Sequence, residues 1–350
     1  MSGYPKTQFA TNDSLTRKKW ARDLFSVLLP ATEFNDLVGK DSNAIIQMRT
    51  ELAKGEGDTI TFGLRLPLTG TGVQGNDPVE GNEERLVFKN FSVTLNELNH
   101  AVDTGGRMEE QRVPYNLLEE GKNGLQDWWA SKLSDYAFAV LCGDTSFEMV
   151  PGKGTFGTAI TAPSTYHHLK MNDVEEASMT SADMLDLSFL NRMKQRAEVP
   201  IPGTNCYKVR PLKIGGKSYF RVILHTYVFD ALRENTNVGQ WGDLLRAANK
   251  LAIPGVEIEY NGMLISKSER IRSPYTGVYR NILLGCQAAV FGWGGAGESK
   301  STTMAFVPYQ QDANRFMMVR GGGIFGMAKS IFNSEDYGVI VGSSYGAAIG

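Results

Sequence analysis

The sequence predicts an α+β fold, and three observations support this prediction. The chain has 38 glycines in 350 residues, which favours loops and strands over helical bundles. The dipeptides Gly215-Gly216 and Asn261-Gly262 each separate two apolar runs, as in hairpins closed by type I′ turns. Apolar and aromatic residues recur at steps of three and four between residues 118 and 140, which indicates one long helix. We find no internal repeat, and we expect segments from early and late in the chain to share one sheet.

Composition narrows the possible function classes. The net charge of −2 argues against a nucleic-acid binder that works by neutralising phosphates. Cys142, Cys206 and Cys286 are isolated and odd in number, so the sequence indicates neither a disulfide framework nor a paired zinc motif, and it suits a reducing cytosol. The N-terminal residues contain no secretory apolar region, and no apolar run approaches the ~20 residues of a membrane span. We therefore expect no contact with a membrane.

The first elements are a helix, a strand and a long β-hairpin. A helix is predicted over residues 14–29, ending at Pro30, and a strand over residues 45–52. Residues 58–66 and 86–95 are rich in β-branched and aromatic side chains, which is typical of strands.

The tract between these two strands, LTGTGVQGNDPVEGNEE over residues 68–84, contains the spacing G-x-G-x-x-G at Gly70, Gly72 and Gly75. A phosphate-binding loop with this spacing needs a helix after the third glycine. Pro78 and Gly81 oppose such a helix, so we interpret the tract as the tip of a hairpin and expect no cofactor.

The hairpin tip has few apolar residues to bury against its own chain. Ordering its backbone costs roughly 1–2 kcal/mol per residue, and a two-stranded hairpin alone is marginal in water. We therefore infer that another subunit holds this arm in place.

The next element is a long helix, predicted from the apolar pattern between residues 118 and 140. Pro114 suits its first turn and Gly143 its C-terminal cap, while Gly121 and Gly124 weaken its first half. We interpret its heavy aromatic face as core packing. The apolar positions that define the pattern are Leu118, Leu125, Trp128, Trp129, Leu133, Tyr136 and Val140.

The rest of the chain alternates hairpins and short helices. Thr180 and Asp183 form a capping-box pattern before a predicted helix. The predicted elements are strand and loop over 144–180, a helix carrying Leu185, Phe189, Leu190 and Met193, hairpins 209–214/219–224 and 256–260/263–266, helices 229–234 and 241–251, a buried run 282–291, a loop 292–297, and short strands and turns from Thr303.

No pattern makes a positive case for an enzyme. Residues 342–346 match the G-x-S-x-G nucleophile elbow at Ser344, but the required later histidine is absent, and we interpret the match as a tight turn at a strand end. Residues 292–301 resemble a phosphate loop only loosely, because Glu298 stands where lysine is needed. We expect no catalytic, cofactor-binding or metal-binding residues.

The histidines offer no paired metal ligands. His167 and His168 are adjacent and would point to opposite faces of a strand, so we predict loop or surface positions. His225 ends an apolar strand and is predicted to be a satisfied core residue.

The order of features resembles the phage N4-type major capsid proteins, which have the Hong Kong 97 phage capsid fold. The resemblance spans nearly the whole chain. It rests on residues 9–20 (FATNDSLTRKKW), 57–70 (GDTITFGLRLPLTG), 78–83 (PVEGNE), 224–233 (LHTYVFDALR), 260–265 (YNGMLI) and 283–289 (LLGCQAA).

This resemblance implies a division of the chain into the parts of that fold. Residues 1–54 correspond to an N-terminal arm and residues 55–100 to an extended loop that lies across a neighbouring subunit. Residues 101–184 and 299–350 correspond to a peripheral domain, with a spine helix over 110–143. Residues 185–298 correspond to an axial domain.

The resemblance also implies a function and partners. Hexamers and pentamers of the chain would close into an icosahedral virion shell around the double-stranded DNA of a tailed bacteriophage, in the host cytoplasm. A scaffolding protein, which we expect to be separate, a portal at one vertex and a decoration protein are the implied partners, with weak non-specific contact to DNA. Some members of the wider fold crosslink a loop lysine to an asparagine of a neighbour, but residues 58–88 contain no lysine, so we expect no such crosslink at the tip of the loop.

Candidate contacts between subunits lie on the arm. Glu80, Glu83 and Glu84 could form ion pairs with basic residues of a neighbouring subunit. Arg65 and Arg85 could do the same with acidic residues of that neighbour. The alternative is that these side chains form a charged rim exposed to solvent. The six candidates are Arg65, Val73, Glu80, Glu83, Glu84 and Arg85. Two other functions stay open, an encapsulin-like compartment shell on the same fold and a serine hydrolase using Ser344.

Overall fold

The computed structural model describes residues 35–50, 57–65, 68, 72–75, 78–112, 117–201, 204, 206–234, 256–295, 304–312 and 316–346. The predicted helices over 14–29 and 241–251 lie outside these residues. The described helices are α1 (Arg107–Arg112), α2 (Leu117–Cys142), α3 (Leu187–Glu198) and α4 (Thr226–Glu234), with short 3₁₀ turns at Asn35–Leu37, Met171–Asp173 and Glu176–Ser178. The strands are β1 (Val38–Gly39), β2 (Ile46–Arg49), β3 (Thr59–Arg65), β4 (Phe88–Thr94), β5 (Asn96–Gly106), β6 (His168–Lys170), β7 (Leu212–Ile214), β8 (Lys217–His225), β9 (Ile258–Tyr260), β10 (Met263–Ser268), β11 (Val278–Leu284), β12 (Ala289–Trp293), β13 (Met304–Gln311), β14 (Phe316–Lys329), β15 (Ile331–Phe332), β16 (Glu335–Asp336) and β17 (Val339–Tyr345).

The first sheet is organised around β14. Its strand order is β1-β2-β12-β14-β13, and β5 pairs with β14 as well. The predicted sharing of one sheet by early and late segments is confirmed, because β2 pairs with β12 and β5 pairs with β14.

The predicted long helix is confirmed as α2, although it begins at Leu117 and residues 110–112 belong to the separate helix α1. It packs on this sheet. Trp129 and Tyr136 are fully buried, so the aromatic face does pack in the core. The Tyr136 hydroxyl lies 3.1 Å from the Met327 carbonyl and 3.2 Å from its N–H on β14, and burial raises the pKa of Tyr136 to about 12. The helix comes close to β14 at Gly321, where a Cβ would lie 2.9 Å from Leu125 Cδ2. Gly143 follows the helix with φ +67°, as predicted for the cap, and Pro114 lies outside the described residues.

The second sheet has the order β6-β17-β11-β8-β10-β9, with β7 paired to β8. Both predicted hairpin turns are confirmed. Gly215 and Gly216 have φ of 57° and 82°, and Asn261 and Gly262 have φ of 46° and 69°, as type I′ turns require. Helices α3 and α4 cover this sheet through a second apolar core that includes Phe189.

The predicted capping box is wrong. The Asp183 carboxylate accepts a hydrogen bond from the Thr180 N–H at 2.9 Å, which closes a local turn before the helix. The helix begins at Leu187, and its N-cap is Asp186, which accepts from the Phe189 N–H at 2.7 Å. Asp183 and Asp186 both accept a backbone hydrogen bond of the kind that caps a helix, but only Asp186 is followed by residues that continue as a helix.

The segment over residues 282–291 is buried as predicted, but it is not one element. Leu284 ends β11 in the second sheet and Ala289 begins β12 in the first, with Gln287 at φ 58° in the connection. The loop predicted over 292–297 begins later than expected, because Gly292 and the fully buried Trp293 continue β12.

β17, within residues 299–350, pairs with β11, within residues 185–298, so strands from both predicted domains meet in the second sheet. The division into domains stays a prediction.

A buried polar network joins three strands of the second sheet to the turn at Glu176. Arg280 on β11 donates two hydrogen bonds to the Glu176 carboxylate, at 2.8 and 2.7 Å. The Ser343 hydroxyl on β17 donates to the same carboxylate at 2.6 Å. His168 Nε2 on β6 lies 2.9 Å from Ser343 Oγ and 3.2 Å from Glu176 Oε1.

The prediction of loop or surface positions is wrong for His168, which belongs to β6 and faces buried partners. His167 does lie in a turn before that strand, although it is only 1% exposed. His225 is buried, accepts a hydrogen bond from the Tyr227 N–H and stacks on Tyr279, as predicted for a core residue.

The same network sets the protonation state of Glu176. Burial alone would raise the pKa of this carboxyl group, but the hydrogen bonds from Arg280, His168 and Ser343, with the charge of Arg280, lower the pKa far below its usual value. Glu176 is therefore ionised in the folded chain at pH values where it is protonated in the unfolded chain. By linkage, this group stabilises the fold above its unfolded pKa and loses that effect as the pH falls.

In the described part of the chain, no helix is both long enough and apolar enough to cross a bilayer.

The N-cap assignment can be tested by substitution. Asp186→Ala should lower the free energy of unfolding by about 1 kcal/mol, because the Phe189 N–H loses its acceptor. Urea unfolding of the unassembled chain, followed by circular dichroism, measures this change. Asp183→Ala removes the acceptor of the predicted capping box. If Asp183→Ala lowered the helix content more than Asp186→Ala does, the predicted capping box would be correct after all.

The Glu176 network predicts acid sensitivity. Below about pH 4.3, the ordinary glutamate pKa, Glu176 should contribute up to about 1.4 kcal/mol per pH unit to the fall in unfolding free energy. Glu176→Gln should remove this contribution and lower stability near pH 7 by about 3 kcal/mol, because Arg280 loses its buried partner. Urea titrations at several pH values measure both effects. The matched control is Glu175→Gln, which changes an exposed neighbour, and equal pH slopes in all three proteins would contradict this assignment.

Candidate assembly interface

The predicted hairpin arm is present and separate from the two main sheets. Strands β3 and β4 pair with each other alone, in antiparallel register from Thr59↔Thr94 to Arg65↔Phe88. Side chains alternate along the pair, as the sequence pattern requires. Thr61 and Ser92 face each other on one side, and the rings of Phe62 and Phe91 stack at 5.1 Å on the other.

The base of the arm is anchored to the body of the subunit. Val93 is fully buried against Val290 and Ala328 of the first sheet. Thr158 Oγ1 accepts a hydrogen bond from the Thr94 N–H at 2.7 Å, and Phe91 meets Phe332 edge to face at 5.2 Å. This anchor fixes where the arm leaves the subunit.

Beyond the base, the arm exposes apolar side chains. Leu86, Val87 and Phe88 are consecutive and are 55%, 47% and 63% exposed, so this extended segment presents apolar groups on both faces. Leu68 and Val79, nearer the tip, are 60% and 66% exposed. An exposed apolar surface of this kind is typical of a protein–protein contact.

The turn at the tip is shaped by local polar contacts. Gly81 has φ +92°, and its N–H donates to a Glu83 carboxylate oxygen at 2.8 Å. Asn82 donates through its amide to the Pro78 carbonyl at 2.9 Å. These bonds hold the acidic end of the tract in a compact turn, on which Glu80, Glu83 and Glu84 are exposed.

The structure places the predicted contact residues on this arm. Val73 is half-buried, and Glu83 is partly used in the local turn. The exposed candidates are Arg65, Glu80, Glu83, Glu84 and Arg85. The sequence analysis missed the apolar residues Leu86, Val87 and Phe88. They have the composition of a strand, and the sequence alone does not reveal that their side chains are exposed within the subunit.

The glycine-rich tract has no nucleotide-loop architecture in the residues that the structure describes. Gly72 and Gly75 both have positive φ, at 71° and 70°, and the next regular element after them is the strand β4. Gly70 lies outside the described residues. The prediction that the tract joins two strands is confirmed.

The G-x-S-x-G match has neither the geometry of an elbow nor that of the predicted turn. Residues Gly342 to Tyr345 continue β17, so the predicted strand-end turn is wrong. Ser344 is fully buried, and its hydroxyl accepts a hydrogen bond from the Asn281 side chain at 2.9 Å. The run is tolerated in a strand because it lies in the sheet interior, where Met193 and Phe189 pack against Gly342.

Comparisons with known proteins agree with one family. The family described as phage capsid protein matches residues 8–264. The major capsid protein of Pseudomonas phage KPP25 is 27% identical over 192 residues, which cover 52% of this chain and 51% of that protein. The match thus spans about half the length of this curated relative.

Solved structures extend the similarity over almost the whole chain. A capsid chain of Ralstonia phage GP4 matches with a TM-score of 0.78 at 23% identity, covering 99% of this chain and 98% of that one. The cyanophage Pam1 capsid matches with a TM-score of 0.73 at 18% identity, over 92% and 94% of the two chains. The capsid of Helicobacter pylori bacteriophage KHP30 matches with a TM-score of 0.67 at 12% identity, over 90% and 91%. With the exposed arm and the two-sheet body, these matches show that the chain belongs to the phage capsid protein family and has the Hong Kong 97-type fold.

Proposed function

We propose that this chain is the major capsid protein of a tailed double-stranded DNA bacteriophage. Hexamers and pentamers of it close into an icosahedral shell in the host cytoplasm. The observation that carries this proposal is the arm, which is anchored at its base and exposes Leu86, Val87 and Phe88 beyond it.

A second copy of the chain is the partner that suits the arm. Every subunit of a closed shell has neighbours in fixed positions, so an arm that leaves each body in a fixed direction meets the same surface each time. Burying a side chain such as Phe88 stabilises a contact by about 1.5–3 kcal/mol, and each subunit both gives and receives one arm. Contacts of modest strength therefore add up around the shell.

The charged tip supports the same assignment. Glu80, Glu83 and Glu84 give the turn an acidic surface beside the basic side chains of Arg65 and Arg85. Charges at the rim of an interface select orientation more than they add affinity. In this proposal the apolar residues provide the binding energy and the charges fix the register of the arm on its neighbour.

The remaining partners follow from the proposed role. A scaffolding protein would guide curvature, a portal would occupy one vertex, and a decoration protein could bind the outer face. The net charge of −2 favours only weak, non-specific contact with the packaged DNA. With no lysine in residues 58–88, we expect no covalent crosslink at the tip of the arm.

Two alternatives differ in what else must be found. An encapsulin-like compartment shell would share the fold, but its gene would lie beside a cargo enzyme and not beside portal and terminase genes. A hydrolase using Ser344 would need that hydroxyl to meet a substrate, whereas it is buried and bonded to Asn281. We infer that the chain acts without catalysis.

The apolar part of the arm provides the direct test. Leu86→Asn with Phe88→Asn should abolish shells, or reduce their yield more than tenfold, because two buried apolar contacts per subunit are lost. Co-expression with the scaffolding protein, sucrose-gradient sedimentation and electron microscopy measure the yield. The unassembled variant should unfold like the wild type, since both side chains are exposed there, and a normal shell yield would sink the proposed role of the arm.

The charged part of the arm gives a separate test. Glu83→Lys with Glu84→Lys should impair assembly without changing the unfolding of the unassembled chain, because like charges would then face a basic surface. The double glutamine variant, which removes charge without reversing it, should have an intermediate yield. Assembly that rises with salt in the lysine variant alone would show repulsion, whereas equal yields from all three proteins would assign these residues to a solvated rim.

A further inference from the structure

Three potential metal ligands from distant parts of the sequence meet beside the β15–β16 hairpin. His167 lies directly before β6, Cys206 lies in the segment after α3, and Glu335 begins β16. Their ligand atoms all lie within 4.8 Å of one another. The sequence analysis missed this group, because the three residues have no spacing motif and are brought together only by the fold.

His167 is the nitrogen ligand of this group. Its side chain is almost completely enclosed, at 1% exposed, and the neutral imidazole is the form that binds metals. Ser164 Oγ lies 3.1 Å from Nδ1 and can donate to it when no metal is bound.

The carboxylate of this group has an unused oxygen. Oε2 of Glu335 is buried, has no hydrogen-bond partner among the described residues, and lies 3.5 Å from Nδ1 of the imidazole. A neutral imidazole nitrogen and a carboxylate oxygen at this distance gain little from each other without a proton or a cation between them.

The charges next to this group would not repel a divalent cation. Lys329 Nζ and the Asp336 carboxylate form a fully buried ion pair at 3.0 Å, so these two charges cancel each other. A Cys206 thiolate and an ionised Glu335 would together carry the two negative charges that balance a divalent ion.

We propose that His167, Cys206 and Glu335 bind a divalent transition metal, and that Zn²⁺ is the ion that suits them best. Sulfur, nitrogen and oxygen ligands in one set are typical of zinc, with bond lengths of about 2.0–2.3 Å. Such bonds put tetrahedral ligand atoms about 3.3–3.6 Å apart, so small side-chain rotations close the present spacing. Water would complete the coordination, since Cys206 and Glu335 are half-buried.

The bound ion would act as a crosslink within one subunit. It would join the start of β6, the segment after α3 and the β15–β16 hairpin, three places far apart in the chain. An ion that binds the folded chain and not the unfolded one stabilises the fold in proportion to the logarithm of its concentration over its dissociation constant.

Metal titration of the untagged full-length chain tests the proposal. Equilibrium dialysis against Zn²⁺ should give one equivalent per subunit, and Co²⁺ should give a thiolate-to-cobalt charge-transfer band. Cys206→Ser should remove that band and weaken Zn²⁺ binding at least about 100-fold, since even changes beside a ligand cost 10–100-fold. Zn²⁺ should raise the melting temperature of the wild type more than that of the variant.

A second pair of variants guards against misfolding and non-specific binding. Glu335→Gln keeps the size of the side chain and should weaken binding as Cys206→Ser does, while the matched control His100→Gln, which changes a histidine stacked on Trp128, should leave binding unchanged. Absence of stoichiometric binding by the folded wild type, or unchanged binding in both ligand variants, would overturn the proposal.

Discussion

The structure depends on the packing of α2 against β14. This single strand pairs with β5, β12 and β13, and the helix lies across its glycine-rich centre, where Gly321 admits Leu125 and Trp129. Any larger residue at this position would separate the helix from the sheet. The Tyr136 hydroxyl then fixes the sliding position of the helix through the Met327 backbone. Close contact and a buried polar anchor together define one arrangement of the core.

The arm is joined to this core through one short connection. β5 follows β4 after Leu95 alone, and β5 is hydrogen-bonded along β14. The direction of the arm is thus set by the main sheet, although the pair β3–β4 belongs to neither large sheet. A flexible root would spread the tip over many positions and would add an entropy cost to each contact with a neighbour. A rigid root removes that part of the cost before assembly begins.

Local chemistry determined which elements could be predicted. The turns at Gly215 and Asn261 need positive φ, and α2 has apolar residues at steps of three and four along most of its 26 residues, so both leave clear signals in the sequence. The N-cap of α3 is Asp186, six residues after the predicted cap Thr180, because the Thr180–Asp183 pattern closes a local turn that does not continue as a helix. The change of sheet between Leu284 and Ala289 has no local signal, since residues 282–284 at the end of β11 and residues 289–291 at the start of β12 are all apolar and buried. The contact residues of the arm were predicted by charge, whereas exposure of Leu86 to Phe88 is a property of the whole fold.

The short connection between β11 and β12 couples the two sheets of the subunit. Only residues 285–288 separate a strand of the second sheet from a strand of the first. Gly285 in this connection has no room for a side chain, because a Cβ would lie 2.4 Å from Val209. A force on one sheet would therefore be transmitted to the other through the four backbone residues that connect them. The two sheets of one subunit would therefore move together when a force acts on either of them.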